Sequence, residues 1–329
     1  MQGQQVVWTQ KGVAETQAFD VPAPKEMEVV VRTHATLISP GTERAFFLGA
    51  PGAACEFPVR GPGYSNVGEI IQLGAGVEGL RVGQRVASGT GHSSHVVVEA
   101  VHCLPLADAL ADDEAVFFNL VTIALQAVRK ARIELGEPAV VIGAGLIGLF
   151  AMQLAKLNGA LPVGIVDKDE GRAAFAKKFG ADFTLVLNER LPGAIQQACA
   201  PTGPAVVFEA TGFPQPIVLA FQLAKRHGRV VLLGSTRGEV EQVNFYRDVH
   251  QKGITVIGAH NSTRPKQDSA PGWWSMADDW RIALKLLEAR RLPVQPLITH
   301  RFAAKDAPKA YGILAKGDPS AQAMILDWG

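Results

Sequence analysis

Residues 139–148 read A-V-V-I-G-A-G-L-I-G, and this stretch decides the fold. Its first four residues have the composition of a buried parallel strand. Gly143 permits a tight turn, Gly145 lets the backbone approach a pyrophosphate closely, and Gly148 lets a helix pack against the strand. That helix, predicted over 146–158, would present its N-terminal N–H groups and its positive dipole end to phosphates.

A second apolar run, 162–166, ends at an acid, Asp167. The acid stands about 20 residues after the last glycine, as expected of a carboxylate that binds the adenosine ribose hydroxyls. This context predicts a dinucleotide site rather than a glycine-rich turn of an α/β fold that binds no nucleotide. Because a carboxylate repels the 2′-phosphate of NADP, the acid favours NAD. Lys168 and Arg172 follow it and would weaken that preference.

The composition limits the class of protein. With 329 residues the chain is long for one hydrophobic core, so two domains are expected. It is 47% hydrophobic and 19% charged with a net charge of +1, which argues against nucleic acid or a membrane surface as a partner. Residues 1–5 lack the features of a signal peptide, and Cys55, Cys103 and Cys199 are far apart. A cytoplasmic protein is therefore expected.

The pattern along the chain changes twice. The first 115 or so residues contain strand-like runs separated by Gly and Pro, which predicts an irregular β-barrel. Alternating strands and helices then predict a doubly wound parallel sheet, with strands at 139–142, 162–166, 183–187, 205–209, 229–233 and 254–257. Strand-like runs return at 297–302 and 324–328. We predict one domain of residues 1–118 and 265–329, and a second of residues 119–264.

This organisation resembles the medium-chain dehydrogenase/reductase superfamily of the zinc alcohol dehydrogenase type. The matching motifs, spread over essentially the whole chain, are G-T-E at 41–43, G-Y-S-N-V-G-E-I at 63–70, V-G-Q-R-V at 82–86, the glycine-rich loop at 143–148, E-A-T-G at 209–212 and G-R-V-V-L-L-G at 228–234. The resemblance implies an α/β protein with a GroES-like catalytic domain and a Rossmann domain. I-S-P-G-T-E at 38–43 and M-I-L-D-W at 324–328 resemble the branch with bacteriochlorophyllide dehydrogenases and uncharacterised sugar or polyol dehydrogenase-like proteins.

The chain departs from that superfamily at the catalytic zinc. Pro40, Tyr64 and Asn119 occupy the places that the resemblance gives to the three zinc ligands. Zinc takes thiolate, imidazole or carboxylate, and these residues supply none of them. The four-cysteine lobe of structural zinc is also missing, and His92 and His95 have no evident third ligand. The sequence therefore predicts a member that holds no metal.

Without zinc, hydride transfer still needs a group that stabilises charge on the substrate oxygen. The resemblance places Tyr64 there, as a donor to a carbonyl or, with a lowered pKa, as acceptor of an alcohol proton. The alternative is a ring that only fills the space of the metal. Thr42 matches a proton-relaying hydroxyl or else caps a short helix. Asn119 would hydrogen-bond the substrate or cap its helix.

Other candidates surround these residues. Glu43 matches an acid beside the metal and is expected to pair with Arg44 or Arg60. Trp273 and Trp274 would cover the substrate or mark a subunit surface. The residues predicted to bind the cofactor are Thr122, Gly143, Gly145, Leu146, Ile147, Gly148, Asp167, Lys168, Arg172, Thr211, Gly212, Gly234, Ser235 and His260.

These observations predict a zinc-independent, NAD(H)-dependent oxidoreductase that interconverts a secondary alcohol or polyol and its ketone. NADP is the less favoured cofactor. One alternative is an NAD(P)H-dependent reductase of the carbon–carbon double bond of an enone or quinone. Another is a nucleotide-binding protein without catalysis. Pairing of an edge strand at 254–257 with its copy would give a homodimer.

Overall fold

The computed structural model describes all residues from Met1 to Gly329. The chain forms two compact units. The β-rich unit contains residues 1–120 and 280–329, and the parallel-sheet unit contains residues 121–279. The boundaries fall within two helices, α3 (Phe118–Ala131) and α8 (Met276–Glu288). None of the helices combines the length and the apolarity needed to cross a bilayer.

The parallel-sheet unit is built on six parallel strands in the order β11-β10-β9-β12-β13-β14. They are β9 (Ala139–Ile142), β10 (Val163–Asp167), β11 (Phe183–Val186), β12 (Val206–Glu209), β13 (Arg229–Leu232) and β14 (Thr255–Gly258). The direction of winding reverses between β9 and β12, which is the switch point where doubly wound sheets bind ligands. The predicted α/β class and doubly wound sheet are confirmed.

Helices link these strands and complete the core of the parallel-sheet unit. They are α4 (Leu146–Leu157), α5 (Glu170–Phe175), α6 (Leu191–Ala198) and α7 (Gln215–Leu223). All four residues of β9 are buried, as are all four of β12, because the sheet is covered on both faces. Strands buried on both faces are apolar at every position, as the run 139–142 is.

The β-rich unit contains two sheets, with strand orders β2-β1-β4 and β15-β16-β3-β5-β6-β8, and β7 pairs with β3. The strands are β1 (Gln2–Gln10), β2 (Val13–Asp20), β3 (Glu28–Ile38), β4 (Val59–Arg60), β5 (Asn66–Leu73), β6 (Arg85–Ser88), β7 (His95–Glu99), β8 (Leu104–Pro105), β15 (Ile298–Ala303) and β16 (Ala323–Asp327). The register between β3 and β5 shifts twice, and such bulges bend and twist the paired strands. This explains the irregular sheet that the Gly- and Pro-rich sequence predicts.

The sequence pattern missed two short helices of the β-rich unit, α1 (Pro40–Phe47) and α9 (Ala307–Lys316). The helical pattern that begins at Asp112 is present, divided into α2 (Asp112–Ala115) and α3. Each of the two missed helices has too few turns for a clear period of apolar residues. Tertiary packing stabilises them instead, because Phe47 of α1 and Tyr311 of α9 lie in one core cluster with ring centroids 5.0 Å apart.

The predicted domain boundary at 264/265 was wrong, since residues 265–279 belong to the parallel-sheet unit. Asp279 is fully buried and forms ion pairs with Arg129 and Arg264. Trp274 lies under the Arg129 guanidinium, 4.1 Å from the ring centroid, and Trp273 lies under a neighbouring lysine. These contacts hold the segment against α3 of the same unit, and they join residues far apart in sequence.

Candidate active site

The three loop glycines have distinct roles in the geometry. Gly143 has φ +106°, and a Cβ there would meet the Thr211 side chain at 3.0 Å. A Cβ on Gly148 would lie 1.8 Å from the Gly143 carbonyl oxygen, so α4 approaches β9 as closely as glycine allows. A Cβ on Gly145 would meet nothing within 4 Å. Its environment is open, as a backbone that receives a ligand requires.

Helix α4 begins beside this opening, with Gly145 as its N-cap and Leu146 and Ile147 in its first turn. No side chain caps the helix, so its first N–H groups point toward the opening without a side-chain acceptor. The N–H groups and the helix dipole attract an anion there. The loop and the helix start therefore fit a pyrophosphate.

Asp167 ends β10 and supports the loop while leaving room for a ligand. Its Oδ2 accepts a hydrogen bond of 2.7 Å from the Ala144 N–H, and its Oδ1 accepts one of 2.9 Å from the Asp169 N–H. A carboxylate can accept about four hydrogen bonds, so about two positions remain for ribose hydroxyls. Lys168 is exposed beside it, and its Nζ lies 5.8 Å from the Phe213 ring centroid. Asp169 caps α5, because its Oδ1 accepts a hydrogen bond of 2.8 Å from the Arg172 N–H.

The other predicted cofactor residues follow β12, β13 and β14. Thr211 and Gly212 follow β12, and Gly234 and Ser235 follow β13. Sequence reasoning matched the E-A-T-G motif at 209–212 but gave its first residue no role. Glu209 is fully buried, and its carboxyl accepts hydrogen bonds from the N–H and the hydroxyl of Thr211.

Thr122 and His260 form hydrogen bonds within the parallel-sheet unit. Thr122 is buried in α3, and its carbonyl oxygen accepts a 2.6 Å hydrogen bond from Arg264. His260 is exposed after β14, where its Nδ1 accepts from the Ser262 N–H at 3.2 Å and lies 2.7 Å from the Ser262 hydroxyl. The His260 ring therefore caps a local turn.

Tyr64 lies in the loop before β5 of the β-rich unit. Its hydroxyl donates to the Ser39 Oγ at 2.5 Å and also interacts with the Thr42 hydroxyl. Burial raises the pKa of Tyr64 above its ordinary value, and the two neighbouring hydroxyls only partly offset this effect. The lowered pKa suggested from the sequence was therefore wrong. The tyrosine stays protonated at neutral pH and can donate a hydrogen bond, but it is a poor base.

Ser39 is a site residue that sequence reasoning missed. It is buried, its Oγ contacts Tyr64, and its backbone N–H donates to the Glu43 Oε1 at 2.7 Å. The I-S-P-G-T-E motif contains it beside Pro40, which is the only signal in the sequence. Three hydroxyls, those of Ser39, Thr42 and Tyr64, thus meet at the place that the resemblance gives to the metal.

The sequence suggested Arg44 or Arg60 as the partner of Glu43, but Glu43 pairs with neither. Its Oε2 is 3.0 Å from the His92 Nε2 and accepts a 2.5 Å hydrogen bond from the Tyr311 hydroxyl. Helix α1 turns Glu43 into the core, whereas the next residue, Arg44, is exposed and donates to a carbonyl of α9. Burial, together with the Glu43 charge, holds the pKa of Tyr311 well above its usual range.

Asn119 holds the loop of Tyr64. Its Nδ2 donates to the Tyr64 carbonyl oxygen at 2.5 Å, and its Oδ1 accepts from the Trp280 Nε1 at 2.9 Å. Its amide therefore does not cap α3, and it positions the loop of Tyr64, while a contact of Asn119 with substrate stays a prediction.

The residues at the three positions that the resemblance gives to zinc ligands do not fit a catalytic zinc. The Pro40 side chain has no ligand atom, the Tyr64 hydroxyl contacts Ser39, and the Asn119 amide is bound at both ends. No group of three or more His, Cys, Asp or Glu side chains is placed to hold a metal ion. His92 faces Glu43, and the Nδ1 of His95 lies 3.0 Å from the Ser94 hydroxyl.

Comparison with known proteins agrees with this architecture. Residues 147–279 match the family model described as zinc-binding dehydrogenase. The chain is 26% identical to sorbitol dehydrogenase of Gallus gallus over 335 residues, which cover 91% of this chain and 89% of the relative. It is also 26% identical to L-threonine 3-dehydrogenase of Chromobacterium violaceum, over 81% of this chain and 82% of the relative.

A solved structure, galactitol-1-phosphate dehydrogenase of Escherichia coli, matches 98% of this chain and 99% of its own with a TM-score of 0.85. At 23% identity this likeness concerns the fold alone. The fold, the relatives over nearly the whole chain and the matched Rossmann segment agree with one another. The chain therefore belongs to the medium-chain dehydrogenase/reductase superfamily of the zinc alcohol dehydrogenase type and is an oxidoreductase.

Proposed function

We propose that the protein is an NAD(H)-dependent oxidoreductase that interconverts a secondary alcohol or polyol and its ketone without zinc. One observation carries the proposal: Tyr64, with its protonated hydroxyl on Ser39 and its backbone carbonyl held by Asn119, stands at a position that the resemblance gives to a zinc ligand. Curated relatives named for sorbitol and threonine support an alcohol as the substrate class.

The cofactor assignment is supported by Asp167 and the glycine-rich loop. NAD⁺ supplies the carbon that accepts the hydride. The remaining acceptor positions of the Asp167 carboxylate suit ribose hydroxyls, and its negative charge disfavours a 2′-phosphate, so NAD is preferred over NADP. Lys168 is exposed beside this carboxylate and reduces the preference without reversing it.

The proposed role of Tyr64 is to donate a hydrogen bond to the substrate oxygen, with its single hydroxyl proton turned from the Ser39 Oγ to that oxygen when the substrate binds. In ketone reduction negative charge develops on that oxygen, and a preorganised donor stabilises it. Thr42 and Ser39 orient the tyrosine hydroxyl and provide a hydroxyl path along which a proton can move. The same donor has less to contribute to reduction of an activated alkene, whose accepting carbon lies away from the oxygen.

We further propose a cytoplasmic homodimer. Strand β14 is the edge of its sheet, and the exposed side chain of Val256 lies on it. An edge strand with an exposed apolar residue is suited to pairing with a second copy.

The substrate class is tested by two panels of compounds. Secondary alcohols and polyols with NAD⁺ are expected to give NADH, measured by absorbance, whereas enones and quinones with NADH or NADPH are expected to give no turnover. Turnover with the enone panel alone would identify a double-bond reductase. Tight NADH binding without turnover on either panel would favour a non-catalytic nucleotide-binding protein.

Zinc independence has its own test. The purified protein is expected to contain far less than one zinc per chain and to keep its activity on the best alcohol after dialysis against a chelator. The physical reason is that Pro40, Tyr64 and Asn119 offer no thiolate, imidazole or carboxylate. Elemental analysis that finds one zinc per chain, with activity lost in chelator and restored by zinc, would contradict this.

A further inference from the structure

Glu209 is a buried carboxyl without a basic partner at the ligand-binding edge of the parallel sheet. It is the last residue of β12 and is fully buried. Its Oε2 has no hydrogen-bond partner. Burial raises its pKa, and the hydrogen bonds from Thr211 offset only part of that effect. A buried carboxyl costs stability, so its presence at this edge calls for a role beyond packing.

The residue joins two loops that follow neighbouring strands. Its Oε1 accepts from the Thr211 N–H at 2.7 Å and from the Thr211 hydroxyl. Its backbone carbonyl accepts from the Leu233 N–H at 2.9 Å and from the Gly234 N–H at 2.7 Å. Side chain and backbone of Glu209 thus fix the loop after β12 and the loop after β13 together.

The two loops also pack against each other without room for side chains. A Cβ on Gly234 would lie 2.5 Å from the Gly212 nitrogen and 2.8 Å from the Glu209 Oε2. Gly212 has φ +78°, and a Cβ there would lie 3.3 Å from the Ser235 carbonyl oxygen. The conformation of both loops therefore depends on the carboxyl that lies between them.

The position of these loops along the sheet edge indicates which half of the dinucleotide they would bind. A doubly wound sheet binds a dinucleotide across its switch point, one mononucleotide on each half. Asp167 on β10 marks the adenosine half, so β12, β13 and β14 form the half that receives the nicotinamide nucleotide. The loops fixed by Glu209 follow the first two strands of that half.

We propose that Glu209 is a positioning residue for the nicotinamide half of the dinucleotide, acting through the loops 210–213 and 233–235. The proposal rests on the proposed function, since it takes NAD(H) as the ligand. It predicts that disturbing Glu209 weakens binding of the whole dinucleotide but leaves binding of ADP, which lacks the nicotinamide and its ribose, unchanged.

The experiment compares two ligands in matched variants. NADH is titrated by its fluorescence, and ADP, which lacks the nicotinamide and its ribose, is titrated by calorimetry. Glu209→Met keeps the volume but removes both oxygens, and it is expected to weaken NADH by about tenfold while ADP stays within about twofold. Glu209→Gln retains an oxygen that accepts from Thr211, so it should restore most of the NADH affinity. Thr211→Val, which removes one donor to the carboxyl, should weaken NADH selectively if Glu209→Met does not fold.

Asp167→Ser is the control for the adenosine half and is expected to weaken both ligands. Equal weakening of NADH and ADP in Glu209→Met would overturn the proposal, as would NADH affinity unchanged in both Glu209→Met and Thr211→Val. A wild-type protein that binds neither ligand is a different result, because it removes the proposed function itself.

Discussion

Replacing Tyr64 by Phe is expected to lower the rate of hydride transfer by about 10²- to 10³-fold, the usual cost of losing one preorganised donor to a developing oxyanion. The ring and its packing are retained, and only the hydroxyl that contacts Ser39 is lost. Because the residues proposed to bind NAD belong to the parallel-sheet unit, NADH affinity should be unchanged. Single-turnover rates and NADH titration measure the two quantities separately.

Tyr311→Phe is the matched control for this change. Tyr311 is a second buried tyrosine of the β-rich unit, but its hydroxyl donates to Glu43 and it has no proposed contact with substrate. Loss of the Tyr311 hydroxyl should lower the melting temperature and leave the rate of hydride transfer nearly unchanged. If Tyr64→Phe turns over the best alcohol as fast as wild type, Tyr64 only fills space, and Thr42 becomes the leading donor.

The dinucleotide fold could be predicted because its determinants are local. Gly143, Gly145 and Gly148 lie within six residues, and each glycine has a backbone requirement that the next turn or helix imposes. The inner strands of the parallel sheet, such as β9 and β12, are short apolar runs, since burial on both faces removes the need for alternation. A single stretch of sequence thus contained both the ligand loop and the core pattern.

The surroundings of Tyr64 and Glu43 were less predictable, because their contacts join distant parts of the chain. Glu43 contacts His92 and Tyr311, which lie on other elements, and no spacing rule relates these positions. An exposed arginine follows Glu43 directly, so the sequence suggested the wrong partner. The direction of a side chain on a two-turn helix decides such pairings, and α1 was itself too short to be predicted from its pattern.

Buried polar groups were the other feature beyond sequence reasoning. Ser39 and Glu209 lie in motifs that were matched to the superfamily, but their importance depends on burial and on hydrogen bonds from neighbouring loops. Residues 265–279 were placed in the wrong unit for a similar reason. Their attachment depends on Asp279 and on two tryptophans that stack on cations of α3.

Replacing Gly148 by Ala is expected to have the largest structural effect of any single methyl group in the glycine-rich loop. The added Cβ would lie 1.8 Å from the Gly143 carbonyl oxygen, so either α4 or the loop must move. Overpacking of this kind costs about 1–3 kcal/mol, and the displaced helix start would no longer face the pyrophosphate. We expect a lower melting temperature together with NADH binding weakened beyond measurement.

Gly145→Ala separates the two consequences, since a Cβ there meets nothing within 4 Å. The fold should be as stable as wild type, but the methyl group would occupy space that the pyrophosphate needs, so NADH should bind at least about tenfold more weakly. Gly193→Ala in α6 is the control for a helical glycine in open surroundings. It should stabilise the protein by about 0.5–1 kcal/mol and leave the NADH affinity unchanged. If Gly145→Ala binds NADH as wild type does, the phosphates do not approach this backbone, and the dinucleotide must lie elsewhere on the sheet edge.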